Sequence, residues 1–279
     1  MPTYTHDGLT FDYFDAGSGE PVVLLHGFPE DADSWDQVAT RLQAAGLRTL
    51  APEQRGYSPG ARPPRRGDYT IDKLSGDVIA LLDAVGLDRA HVVGHDWGAG
   101  VAWDLATRHP RRVASLVALA TPHPVAVLAS SWRSGQLLRS WYMGFFQLPW
   151  LPERTSVRVL ERTLLRTGLN PADAGRYAER FADPRELTAP MNWYRAIPLS
   201  LLATDRIVRV PTTYLWGNRD PYLGRVAATR TAEFVAADYR FVELDARHWL
   251  PQNHPDAVAS AIIDRVPGVP RRTGELATP

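Results

Sequence analysis

Residues 94–98 (GHDWG) constrain the fold of this 279-residue chain more than any other stretch. They follow an apolar strand pattern and precede a helical pattern from 99 to 106. A side chain displayed on so tight a strand-to-helix turn needs a strained backbone and small neighbours two positions away on each side. Gly94 and Gly98 supply those neighbours. The pattern predicts that Asp96 is a nucleophile on a sharp elbow between a buried strand and a helix.

The flanking sequence alternates between strand and helix patterns. Helical spacing of apolar residues follows Ser34, which is placed to cap that helix, and again follows residue 70. Alternation of this kind favours a mostly parallel sheet with helices on both faces, and hence an α/β fold. The predicted strands are 10–14, 21–25, 47–51, 91–93, 113–120, 213–216 and 240–244.

The alternation stops after residue 122. From 123 to about 208 the patterns are helical, with no convincing buried strand, which predicts an inserted all-helical cap over the strand ends. The expected division is therefore a core formed by 1–122 and 209–266, the cap at 123–208, and a loose tail at 267–279 that is rich in Pro, Gly and Arg.

Composition excludes several classes of protein. The chain has no cysteine, which rules out disulfides, thiolate catalysis and cysteine-based metal sites. Its 31 basic residues balance 31 acidic ones, so no nucleic-acid partner is expected. Neither an apolar leader nor a membrane-spanning run is found, so we expect a cytoplasmic protein without a membrane partner.

An acid and a histidine follow the last two predicted strands. Asp220 comes after the strand at 213–216, and His248 comes after the strand at 240–244. Functional side chains gather at the carboxyl ends of parallel strands, so these two are expected to meet Asp96. In that arrangement His248 activates water, and Asp220 orients the imidazole and stabilises its charged form.

The segment 26–30 (HGFPE) follows the strand at 21–25 and is expected to complete an oxyanion hole. The hole would use the backbone N–H groups of Phe28 and Trp97. His91 and His95 are four residues apart on a strand and its turn rather than on one helix face. We expect both to be structural, with no metal site.

An aspartate nucleophile favours attack on an alkyl carbon. A carboxyl group with an ordinary pKa of about 4 is already ionised at neutral pH, and attack on an sp³ carbon gives an ester that activated water can hydrolyse. Epoxides and haloalkanes are both such substrates. An epoxide oxygen needs a proton from a weak acid such as tyrosine, whereas a halide is held by N–H donors such as tryptophan. The residues alone leave both open.

The chain resembles the epoxide hydrolases of the α/β-hydrolase superfamily over nearly its whole length. Residues 26–30 and 94–98 are similar to the oxyanion loop and elbow of that family, and 141–147 (WYMGFFQ) and 191–195 (MNWYR) resemble its two tyrosine segments. The resemblance implies Tyr142 and Tyr194 as the ring-opening acids. It implies conversion of an epoxide to a vicinal diol without a cofactor. Glu53 departs from the family, in which Asp is commoner, and is expected to be structural.

Two alternatives and a set of pocket residues complete the expectations. A haloalkane dehalogenase would use the same triad and hold halide with Trp97 and either Trp141 or Trp193. A non-catalytic ligand receptor would retain the fold without turnover. Aromatic residues in the cap, Trp132 and Trp150 among them, suggest an apolar pocket for a small epoxide and water. The residues expected to line it are His26, Pro29, Trp141, Phe145, Trp193 and Trp249.

Overall fold

An eight-stranded sheet forms the centre of the computed structural model, which describes residues 1–131, 134–200 and 207–269. The strand order is β1-β2-β4-β3-β5-β6-β7-β8. The pairs β1–β2 and β2–β4 are antiparallel, and every other neighbouring pair is parallel. The predicted mostly parallel sheet is confirmed. Trp132 and residues 270–279 of the predicted tail lie outside the described residues.

The sheet is built from β1 (Thr3–His6), β2 (Leu9–Gly17), β3 (Pro21–Leu25), β4 (Arg48–Pro52), β5 (Ala90–His95), β6 (Val113–Leu119), β7 (Thr212–Gly217) and β8 (Tyr239–Leu244). Each of the seven predicted strands overlaps one of these, and β1 was not predicted because its sequence is short and polar.

The described residues also form twelve α-helices. They are α1 (Asp36–Ala44), α2 (Ile71–Ala84), α3 (Trp97–Arg108), α4 (Pro124–Ser130), α5 (Gln136–Arg139), α6 (Trp141–Phe145), α7 (Leu151–Arg166), α8 (Pro171–Arg180), α9 (Pro184–Ser200), α10 (Arg225–Arg230), α11 (Leu250–Asn253) and α12 (Pro255–Ile263). Among them no helix is both long and apolar enough to cross a bilayer.

The central strands are buried on both faces because their side chains alternate between two layers of helices. Val22 and Leu24 of β3 pack in the apolar layer that contains residues of α1 and α12. Val23 and Leu25 point the other way, into the layer that contains residues of α2 and α3. This explains why these strands have continuous apolar sequences rather than alternating ones.

The start of α1 differs from the prediction. A short 3-10 turn occupies Ala32–Trp35, and the α-helix begins only at Asp36. Ser34 therefore lies inside that turn and does not cap the helix. Its hydroxyl is buried without a hydrogen-bond partner among the described residues. The chain turns tightly after β3 to form the loop at 26–30. This geometry outweighs the preference of serine for a helix N-cap.

Helices α4–α9 lie between β6 and β7 and carry Tyr142 and Tyr194. Two arginines of α8 tie this layer to the core. Arg176 bonds to Asp31 at 2.7 Å, and Arg180 reaches both Asp31, at 2.9 Å, and Glu53, at 2.7 Å. Asp31 and Glu53 are buried, so each depends on these cations for compensation of its charge. Glu53 also accepts the Ala32 N–H at 3.0 Å, which agrees with a structural role.

We expect Arg180→Met to lower the free energy of unfolding by about 2 kcal/mol, because it leaves Glu53 without its cation. Urea unfolding of the variant and the parent protein measures this. The matched control is Arg185→Met, since the Arg185 side chain is 89% exposed and pairs with Asp183 on the surface. Its effect should stay within about 0.5 kcal/mol. Equal losses in the two variants would contradict the anchoring role of Arg180.

Candidate active site

The elbow at Asp96 has the strained geometry that its flanking glycines suggested. Asp96 has φ 51° and ψ −117°, a region that residues with a side chain rarely occupy, and α3 begins at the next residue. A Cβ atom on Gly94 would lie 2.2 Å from the carbonyl oxygen of Gly98, and one on Gly98 would lie 2.1 Å from that of Leu25. Both positions therefore require glycine. The strain presents the Asp96 carboxylate at the carboxyl end of β5, beside the N-terminus of α3.

Asp96, His248 and Asp220 come together at the strand ends. His248 Nε2 lies 3.4 Å from Asp96 Oδ2, and His248 Nδ1 lies 2.7 Å from Asp220 Oδ2. The other oxygen of Asp220 accepts the backbone N–H groups of Tyr222 and Leu223 at 2.7 and 3.0 Å. These bonds fix the carboxylate, which in turn orients the imidazole.

The pKa of His248 is strongly perturbed. Burial lowers the pKa of this imidazole, but the charges and hydrogen bonds of Asp220 and then Asp96 outweigh burial and raise it to about 10. With both carboxylates ionised, the ring is therefore a cation. Loss of the negative charge on Asp96 would remove part of this stabilisation and make the ring a better base.

The 26–30 loop reaches the elbow through a backbone bond. The Phe28 N–H donates to Asp96 Oδ1 at 2.9 Å, as expected of an oxyanion-hole donor. Trp97 is the first residue of α3, where N–H groups have no intrahelical acceptor. Its backbone N–H therefore has no partner within α3 and is available to a group bound beside the Asp96 carboxylate.

Glu30, the last residue of the loop, is a buried brace between the loop and the histidine. It accepts the Gly27 N–H at 2.7 Å and bonds to His95 Nδ1 at 2.8 Å. The other ring nitrogen of His95 donates to the carbonyl of His248 at 3.0 Å. Burial raises the pKa of Glu30, but the charge and hydrogen bond of His95, with bonds from Gln252 and Gly27, lower it to about 2. Glu30 is thus an anion that holds the backbone on both sides of the site.

Tyr142 and Tyr194 lie together above the elbow. Their ring centroids are 5.9 Å apart, and the Tyr194 ring meets those of Phe28, Trp97 and Phe146 edge to face at 4.9–5.3 Å. Burial, and then the charge of Asp96, raise the pKa of the Tyr142 hydroxyl well above its usual value. Burial does the same for Tyr194, with added contributions from Tyr142 and Asp96. Both hydroxyls therefore keep their protons at neutral pH.

The predicted pocket residues occupy different places. Pro29 is buried in the loop, and the ring nitrogens of His26 bond to the Gln54 N–H at 3.2 Å and the Gly27 carbonyl at 3.0 Å, which makes His26 a loop brace. Trp249 meets the His248 ring edge to face at 5.1 Å.

The aromatic residues predicted from the cap occupy three different environments. Trp193 is buried beneath Trp97, and its indole N–H donates to the Arg55 carbonyl at 2.7 Å. Phe145 packs against Phe146 from outside, and Trp141 is 68% exposed. The structure therefore brings Trp193 next to the site but leaves Trp141 on the surface.

Tyr222 is a site residue that the sequence analysis missed. Its ring contacts His248 at a centroid distance of 4.9 Å and Tyr142 at 5.7 Å. Burial raises the pKa of Tyr222 to about 12, while a hydrogen bond with Thr167 lowers it. Its position two residues after Asp220, in a turn held by that carboxylate, was the one available signal.

The described residues contain no group of three or more His, Asp or Glu arranged to hold a metal ion. His91 Nδ1 lies 2.7 Å from the Ser115 hydroxyl, and both nitrogens of His95 bond within the protein, as described above. Both histidines are used in structural contacts.

Residues 20–255 match the family described as alpha/beta hydrolase fold. Human epoxide hydrolase 4 is 36% identical over 91% of this chain and 75% of its own length. Epoxide hydrolase A of Mycobacterium tuberculosis is 33% identical over 95% of this chain and 97% of its own length. The crystal structure of epoxide hydrolase A from Mycobacterium thermoresistibile superposes with a TM-score of 0.84 at 28% identity, covering 97% of this chain and 99% of that one.

At pH 8 we expect His248 of the free protein to carry protons on both ring nitrogens, because its pKa is raised to about 10. His123 is the internal control, since burial lowers its pKa to about 4 and it should be neutral. The ¹⁵N chemical shifts of the two imidazoles measure this. The folded-state pKa of His248 exceeds the unfolded value of about 6.5, so its proton stabilises the fold fully below about pH 6.5. That contribution is lost as the pH rises towards 10. A neutral His248 at pH 8 would contradict the assignment.

Proposed function

This chain belongs to the α/β-hydrolase superfamily and is an epoxide hydrolase, and we propose that it opens its substrate through a covalent ester on Asp96. The observation that carries the proposal is the placement of a carboxylate, rather than a hydroxyl, on the elbow between the Phe28 N–H and the His248 imidazole. A carboxylate in that position attacks carbon directly and needs no base for its own activation.

In the first step, Asp96 attacks one carbon of the epoxide ring, and the bond from that carbon to the ring oxygen breaks. The Phe28 N–H holds Oδ1, so Oδ2 is the attacking atom and Oδ1 becomes the ester carbonyl oxygen. The breaking bond leaves an alkoxide, which takes a proton from the Tyr142 or Tyr194 hydroxyl. The raised pKa values of both tyrosines support this role because they keep the hydroxyls protonated beside a negative carboxylate.

In the second step, His248 removes a proton from water, and the resulting hydroxide attacks the ester carbonyl carbon of Asp96. Ester formation has removed the charge of Asp96, and with it part of the cause that raised the pKa of His248. With its pKa lowered, the imidazolium gives up its proton, which returns to the tyrosinate left by the first step, and the neutral histidine becomes a base for water. The Phe28 and Trp97 N–H groups stabilise the tetrahedral oxyanion. It collapses by breaking the bond from the carboxyl carbon to the substrate oxygen, and that leaving oxygen takes the proton of the new carboxyl group. The diol, the Asp96 carboxylate and the His248 imidazolium result.

The same site supports epoxide chemistry over dehalogenation. A dehalogenase of the expected kind needs an indole N–H from the cap to hold halide beside Trp97. The N–H of Trp193 is already used by the Arg55 carbonyl, and Trp141 is exposed on the surface. In place of an indole donor, the cap contributes two protonated tyrosine hydroxyls near the nucleophile.

We assign residues 123–208 as the cap and residues 1–122 with 209–266 as the core of this enzyme. Helices α4–α9 supply both tyrosines, whereas the loops after β3, β5, β7 and β8 supply the triad and the oxyanion-hole donors. The edge-to-face rings around Tyr194 favour an apolar epoxide that leaves only the ring oxygen to hydrogen-bond.

We expect His248→Gln to form the ester but to hydrolyse it slowly, so that the protein accumulates as an adduct. After mixing with a panel of aryl and alkyl epoxides, intact mass should rise by the full mass of the epoxide, and peptide mapping should place the addition on Asp96. Asp96→Ala is the matched control and should form neither adduct nor diol.

Three results would contradict this proposal. They are diol formation by Asp96→Ala, an adduct mapped to another residue, and an adduct from a haloalkane equal to its mass less hydrogen halide with none from any epoxide. The last result would transfer the assignment to dehalogenation.

Replacement of either tyrosine should slow ester formation. We expect Tyr142→Phe and Tyr194→Phe each to lower the single-turnover rate of ester formation by about ten- to a hundredfold, and the double variant by about a thousandfold or more. Rapid mixing followed by mass measurement provides the rates. Tyr13→Phe, on β2 and so three strands away from β5 in the sheet, is the control for loss of a hydroxyl and should match the parent protein. Ester formation at the parental rate in the double variant would exclude these tyrosines as acids.

A further inference from the structure

The end of α7 in the cap is bonded to the loop that carries His248. Arg247 Nη1 donates to the carbonyl of Arg166 at 2.9 Å, and Asn253 Nδ2 donates to the carbonyl of Gly168 at 2.7 Å. Between them, the Trp249 indole N–H donates to the hydroxyl of Thr167 at 3.1 Å. Three consecutive residues of the cap thus hold the residues that surround His248.

Among the three cap residues, only Thr167 makes its contact through its side chain; the other two use backbone carbonyls. Its hydroxyl donates back to the carbonyls of α7, Leu164 at 2.9 Å and Thr163 at 3.0 Å, which leaves its lone pairs for Trp249. The same hydroxyl also interacts with the Tyr222 side chain, on the other side of His248, and this interaction opposes the rise in the pKa of that phenol. One cap side chain therefore ties two aromatic residues that come from two different core loops.

Those two aromatic residues flank the imidazole. The His248 ring meets Trp249 at 5.1 Å with an interplanar angle of 88°, and meets Tyr222 at 4.9 Å with an angle of 76°. The bond from Nδ1 to Asp220 fixes one point of the ring, but a single hydrogen bond does not fix the plane of the ring. The two flanking rings complete that constraint, and Thr167 holds both of them.

We propose that Thr167 is a positioning residue for water activation, acting through Trp249 and Tyr222 to hold the His248 ring in the plane that the second step requires. This inference rests on the proposed two-step function.

The two steps depend differently on the orientation of His248. In ester formation the imidazole is a neighbouring cation, and its attraction to Asp96 changes little with a small rotation of the ring. In ester hydrolysis Nε2 must accept a proton from a water that also faces the ester carbon, which is a directional requirement. Loss of the Thr167 hydroxyl should therefore slow hydrolysis selectively.

The test is Thr167→Val, which keeps the shape of the side chain and removes the hydroxyl. In single turnovers with an epoxide of the panel, followed by intact mass, we expect ester decay to slow about tenfold and ester formation to change less than about twofold. The ester should then accumulate at steady state. Thr167→Ser restores the hydroxyl and should restore parental decay. Thr163→Val, one turn earlier on the exposed side of α7, should match the parent protein in both rates.

Trp249→Phe removes the same hydrogen bond from its other end and keeps an aromatic ring. It should also slow decay selectively, and adding it to Thr167→Val should change the rates of Thr167→Val little, because that variant already lacks the bond to Trp249. This second variant also tests the inference if Thr167→Val does not fold.

Parental ester decay in Thr167→Val and Trp249→Phe, or equal slowing of both steps without rescue by serine, would overturn the inference. The absence of any Asp96 adduct in His248→Gln would instead contradict the proposed function itself. The two failures are therefore distinguishable.

Discussion

The backbone strain at Asp96 is the constraint around which the active site is arranged. A non-glycine residue at φ 51° and ψ −117° costs on the order of 1–3 kcal/mol and persists only where its surroundings determine it. Here the surroundings are the closely packed ends of β3 and β5 and the first turn of α3, which approach too closely for a Cβ atom at either flanking glycine. The central strands are buried on both faces, so they supply the rigidity that the strained turn requires.

Three buried or partly buried carboxylates then determine the electrostatics. Glu30, Asp96 and Asp220 surround the two imidazoles of His95 and His248. A buried carboxylate is costly unless hydrogen bonds and opposite charge compensate it, and each of these has both. The arrangement holds His248 by its ring, through Asp220, and by its backbone carbonyl, through His95 and Glu30. Its proton affinity then depends on whether Asp96 is charged, and in the proposed mechanism this property allows one histidine to serve two steps.

The insertion acts on the site through polar contacts as well as through shape. Arg180 on α8 compensates Glu53 and Asp31 behind the 26–30 loop, and the end of α7 bonds to the loop of His248. Tyr142 and Tyr194 face the nucleophile from α6 and α9. The cap is thus joined to both loops that flank the elbow. A substitution in the cap that alters these contacts would act on the core chemistry without touching the substrate.

The sequence by itself determined the features that arise from local chain geometry. The glycine spacing predicted the elbow, apolar runs predicted seven of the strands, and the break in alternation predicted the helical insertion, because each depends on residues that are close along the chain. The proposed triad followed from one further rule, that carboxyl ends of parallel strands share an edge. Tertiary structure alone decided which of the remaining aromatic residues meet the site. Trp141 and Tyr222 have similar local signals, yet Trp141 is exposed and Tyr222 contacts His248. That difference depends on how the loops after β7 and β8 lie against each other and on how α6 packs on the core. Packing between distant segments leaves no periodic trace in the sequence.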